Sequence, residues 1–117
     1  MKKNIILFVS FIFLLGCEEN QEPEYLLSED QMVSILIDIH ITEGIASALP
    51  VKYDSSQVLY KLLEKEVFLK HEVPDSVFTK SMLYYLQDPA IMDQLYARVV
   101  DSLSLKQTLR NAQVNNQ

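Results

Sequence analysis

Tryptophan is missing from this 117-residue chain, cysteine occurs once, at Cys17, and glycine twice, at Gly16 and Gly44. A single cysteine rules out an intramolecular disulfide, so whatever core forms must hold without one. Scarce glycine and few alternating apolar–polar runs argue against a strand-rich fold and for helices. Basic residues are also few, ten against sixteen acidic. Lys2 and Lys3 fall in the first few residues. Without the first sixteen residues the balance is eight basic against sixteen acidic side chains, a net charge of −8. A surface of that sign is repelled by nucleic-acid phosphates, and no nucleic-acid partner is expected.

One long apolar run is present. Residues 5–15 carry a single polar side chain, Ser10, behind the basic start Lys2-Lys3. As a helix the run spans roughly 16 Å, about half of a ~30 Å bilayer core, which fits a secretory signal better than a membrane span. Leu14-Leu15-Gly16-Cys17 follows and resembles the lipobox of bacterial lipoprotein precursors. The resemblance implies cleavage before Cys17 and two or three acyl chains on it, enough for stable anchoring where one chain is marginal. Residues 1–16 are therefore read as a signal peptide. Residues 17–27 are read as the lipidated cysteine plus a flexible acidic tether broken by Pro23, and no cofactor is implied. The adjacent Glu18-Glu19 resembles the signal that sends some lipoproteins to the cell surface. Expected locations are thus the outer membrane's periplasmic face or the cell surface, with the lipid layer and an envelope protein as partners.

Residues 28–110 read as a domain of about four helices in an all-α bundle. Ser28 and Gln31 have capping-box spacing, with Leu27 and Met32 placed as a hydrophobic staple. Met32, Ile35, Leu36, Ile39 and Ala46 recur on one face of the first helix, which Pro50 ends near Leu49; Ser34 and Asp38 are expected to point away. Asp54 is expected to open a second helix burying Val58, Leu59, Leu62, Leu63 and Val67 and stopping near His71. Asp75 is expected to cap a third, and Asp88-Pro89 starts a fourth with Ile91, Met92, Leu95, Tyr96, Val99 and Leu103 inward. Residues 111–117 are amide-rich and are expected to fray.

Ser28-Glu29-Asp30-Gln31-Met32-Val33, Asp38-Ile39-His40-Ile41-Thr42-Glu43, Lys70-His71-Glu72-Val73, the run from Phe78 to Tyr85, and Asp88-Pro89 together resemble the domain of unknown function 4296 family, small lipoproteins of Bacteroidota. That resemblance implies a helical fold and an envelope location but no activity. It departs at Glu72, where the family has a glycine-like residue.

Only Asp38-x-His40-x-x-Glu43 offers chemistry. Glu43 is placed near the middle of the first helix's apolar face with His40 beside it at i,i+3 spacing, and a carboxylate among aliphatic groups needs a partner. The leading reading is a structural hydrogen-bonded pair, extended by Tyr84 or Tyr85. The alternatives are a small-ligand pocket or a hydrolase-like site using His40 and Glu43. Zinc wants three or four ligands, and only His40, Glu43 and a distant His71 are on offer, so no metal is expected. No serine stands in a nucleophile-elbow setting, and no catalytic residue is assigned. The expected role is a non-enzymatic interaction or assembly module.

Overall fold

A computed structural model describes residues 23–115; the expected signal peptide and Cys17 lie outside the described residues. Four helices follow one another: α1 (Glu29–Ala48), α2 (Tyr53–Lys70), α3 (Asp75–Tyr85) and α4 (Pro89–Asn115). No described residue is in a strand, and the domain is the all-α bundle read from the sequence. No helix among the described residues is long and apolar enough to cross a membrane.

Helix α1 is the central element. Ser28 caps it: the Ser28 hydroxyl accepts from the Gln31 N–H at 3.3 Å, and Gln31 Oε1 accepts from the Ser28 N–H at 2.9 Å. The capping box satisfies two of the donors a helix start leaves unpaired. Met32, Val33, Ile35, Leu36 and Ile37 are all buried against α2, α3 and α4, so α1 is apolar over more than one stripe. Leu49 is extended and Pro50 ends the helix there.

The chain before α1 is less free than a tether. Leu27 is buried in the core and Leu26 packs against it. The Leu27 N–H donates to Ser81 Oγ at 3.0 Å, and its carbonyl accepts from the Tyr85 hydroxyl at 2.7 Å. Helix α3 thus grips both polar groups of one residue, and the expected tether boundary at residue 27 moves back.

Helix α2 departs most from expectation. It begins at Tyr53 behind Lys52, with no side-chain cap. Val58 and Leu62, expected inside, are exposed, while Val67 and Phe68 are buried. The face turned to α1 carries Ser56, Tyr60 and Glu64, which are half-buried. Ser56 Oγ donates to the Ala46 carbonyl at 2.8 Å and Tyr60 to Glu64 at 3.2 Å. Polar groups with such partners tolerate burial, and they share this face with the half-buried Leu59 and Leu63 while Val58 and Leu62 are turned outward.

The α2–α3 corner is a Schellman turn. The Val73 N–H reaches the Phe68 carbonyl and the Glu72 N–H reaches that of Leu69, both at 3.1 Å. Glu72, at the position where the family resemblance implies glycine, has φ 55°, the left-handed conformation a Cβ disfavours. Pro74, and not Asp75, occupies the N-cap position of α3; Asp75 lies in the first turn, where its carboxylate accepts from Thr79 at 3.2 Å.

Helix α4 starts as expected, Asp88 Oδ1 accepting from the Ala90 and Ile91 N–H groups at 3.0 and 3.3 Å. Met92, Leu95 and Val99 are buried, but Tyr96 is exposed. The helix continues to Asn115, past the expected limit at residue 110, and every residue from 104 to 115 is exposed.

Candidate functional site

His40 and Glu43 are close, with Nδ1 and Oε2 3.5 Å apart, but the surroundings are not those expected. Their side chains are 35% and 62% exposed, so Glu43 does not sit among the aliphatic side chains of α1. Glu43 falls in line with the buried Met32 and Leu36, but beyond Ile37 only Thr42 and Ala46 of α1 are buried, so the far half of the helix leaves Glu43 open. The His40 ring lies 6.1 Å from that of Tyr96, between centroids. Tyr84 packs edge-on to Tyr85, whose hydroxyl serves Leu27. A cleft of about 160 Å3 beside Glu43 is walled by Ala46, Ser47, Ser56, Gln57 and Tyr60, and His40 is not among its walls. Burial first, then Glu64 and the charge of Glu43, hold the Tyr60 phenol above its ordinary 10.0.

Asp38, expected to point away, makes the tightest polar cluster. Its Oδ2 accepts from Lys70 Nζ at 2.7 Å and meets His71 Nε2 at 2.8 Å. Asp38 and His71 are only 17% and 16% exposed, so two ends of the chain more than thirty residues apart are locked in a sheltered spot. Burial pushes the Asp38 carboxyl upward, but the hydrogen bonds and charges of Lys70 and His71 outweigh it and hold the pKa below the ordinary 3.8. The spacing of Asp38, three residues after the buried Ile35 and four before the buried Thr42, signals its sheltered position but not its partners. Asp38 and Lys70 also border a shallow cleft of about 300 Å3 between α1 and α2. On the other side of α1, Arg98 of α4 pairs with Asp30 and, at 3.6 Å, with Glu29.

Among the described residues a broad concavity of about 740 Å3 forms an open groove along α2 and the α2–α3 corner. Phe68, Leu69, Val73 and Pro74 form its apolar walls, with Lys61, Lys65, Glu64, Glu72 and Asp75 around them. Among the described residues no group of three or more His, Cys, Asp or Glu is placed to hold a metal ion.

These features define a small helical domain whose polar clusters join helix to helix and whose surface opens in a broad groove with apolar walls. A family model, Domain of unknown function (DUF4296), matches residues 23–108, and the chain belongs to that family. No curated protein and no solved structure matches it.

Proposed function

We propose that the protein is a membrane-anchored, non-enzymatic interaction module of the cell envelope, held at Cys17 by lipid and binding an envelope protein through the outer face of α2. The observation that carries this is the exposure of Val58, Leu62 and Leu69. Spaced i, i+4 and i+11, they share one side of α2, with Lys65 between Leu62 and Leu69. Val58 alone is 70% exposed. Leu69 also belongs to the wall of the 740 Å3 groove, so the groove opens onto the same side of the helix. Exposed apolar side chains set among charges are what partner surfaces offer. The ligand-pocket and hydrolase alternatives rest on His40 and Glu43, which are open to solvent and share no described cleft.

The test is Leu62→Glu with Leu69→Glu in cells lacking the native gene. Both side chains already face water, so the melting midpoint should stay within about 0.5 kcal/mol of wild type, while the cellular phenotype is lost. A variant that folds and fully complements would refute the interface. The anchor is checked separately by mass spectrometry of the mature N-terminus; an unacylated Cys17 would refute that half of the reading.

A further inference from the structure

The last turns of α4 are exposed along their whole length. Residues 104–115 would span about 18 Å as helix, and all are exposed. They are not uniformly polar. Leu105, Leu109 and Ala112 fall at i, i+4 and i+7 on one face, and Lys106 and Arg110 line up beside them. No acidic residue follows Asp101. Residues 23–101 hold thirteen acidic and six basic side chains, a net charge of −7, whereas residues 102–117 carry +2. The end of α4 thus carries a net positive charge on an otherwise acidic domain, beside exposed apolar side chains of its own.

The position of this arm gives it an occupant. Asp38 meets Lys70 and His71, and the Ala46 carbonyl meets Ser56, so α1 and α2 are antiparallel and the start of α1 lies beside the end of α2. Arg98 reaches Glu29 and Asp30 while Tyr96 lies near His40, so α4 runs antiparallel to α1 and passes its start after Arg98. Tyr25, Leu26 and Leu27 line a cleft with Val73, Pro74 and Val77, so the chain toward residue 1 departs at the same end. Arm and departing chain therefore share one end of the bundle.

We propose that residues 104–115 lie on an anionic lipid surface, Leu105 and Leu109 entering the headgroup boundary and Lys106 and Arg110 meeting lipid phosphates. Basic amphipathic helices bind in this way, and the effect is strongest beside an anchor that keeps the helix near the bilayer. The acidic body is repelled by the same surface. Arm and body together would set the domain's orientation, with the far end of α2 at Val58 directed away from lipid. The proposal takes from the reading above only the presence of a lipid anchor.

Because the chain lacks tryptophan, Leu109→Trp supplies a single reporter at an exposed site. The chain from residue 17 onward, which holds the whole core, is prepared with Cys17→Ser so that no acyl chain contributes. It is mixed with phosphatidylcholine vesicles containing about one-quarter phosphatidylglycerol. The expected result is a blue-shifted emission quenched by brominated lipid, with partitioning weakened roughly tenfold or more by Lys106→Gln with Arg110→Gln. Val58→Trp, at the opposite end, should show neither effect. No shift at Leu109→Trp, an equal shift at Val58→Trp, or an equal shift with phosphatidylcholine alone would each overturn the proposal. So would a blue shift without vesicles that grows with protein concentration, which would assign the arm to a second copy. Failure of any kind here leaves the α2 interface and the acylation of Cys17 to their own tests.

Discussion

Asp38 holds a sheltered charge, and its environment makes stability depend on pH. Its folded pKa lies below the ordinary 3.8 because Lys70 and His71 favour the ionised form over the opposing effect of burial. A lowered carboxyl contributes stability in full above about pH 5, and that contribution is lost as pH falls through 3.8 and the folded value below it. Lys70 is well exposed, so its share is screened by solvent, and His71 is the better-sheltered partner. Asp38→Asn should cost about 1–3 kcal/mol at pH 7, and the gap from wild type should narrow as pH drops toward 3, in urea melts run across that range. A gap that stays constant with pH would show that the ionised form is not what the site favours. Glu72 makes the opposite case, a residue whose replacement should help. Its φ of 55° suits glycine, and Glu72→Gly should raise stability by about 1 kcal/mol, less what glycine loses by loosening the unfolded chain. A midpoint lowered by the change would mean that the Glu72 side chain contributes more than its backbone strain costs.

At the scale of elements, the starts of α1 and α4 are set by end signals that act locally. Ser28–Gln31 and Asp88–Pro89 fix the starts of α1 and α4, and Asp88→Ala should destabilise the domain by about 0.5–2 kcal/mol in thermal or urea melts; an unchanged midpoint would count against that cap. These starts, the stop at Pro50 and the core face of α4 were legible because capping and periodicity belong to short stretches of chain. The phase of α2 was legible only in part. Leu59, Leu63 and Val67 turn inward as expected, but they share that face with Ser56, Tyr60 and Glu64, while Val58 and Leu62 turn outward. The Ser56 contact with the Ala46 carbonyl depends on a helix that arrives from elsewhere in the sequence. The same holds for the polar sites. His40 and Glu43 are close because i,i+3 spacing makes them so, yet their exposure was invisible without the neighbours of α1. The Asp38–His71 lock spans 33 residues and the Tyr85–Leu27 clamp 58, and no local pattern encodes either.

On the scale of the whole molecule, the chain divides its surface into three parts. One end carries the departing N-terminal chain and the basic arm of α4. The α2 side carries the exposed Val58, Leu62 and Leu69 and the corner groove. The remainder carries most of the acidic side chains together with scattered exposed apolar ones such as Ile45, Leu83 and Val100. The proposed lipid contact at one end and the proposed protein partner along α2 would cover the exposed apolar side chains of those two surfaces. The α2 interface is the central claim, and it is tested most directly by a photo-crosslinking amino acid at position 62 in intact cells. The account predicts one discrete adduct that also forms from position 69, vanishes when Val58 is changed to Glu on the same chain, and is absent when the crosslinker stands at the exposed position 83 of α3. Crosslinks equally diffuse at positions 62 and 83, or none from 62 at native abundance, would contradict it.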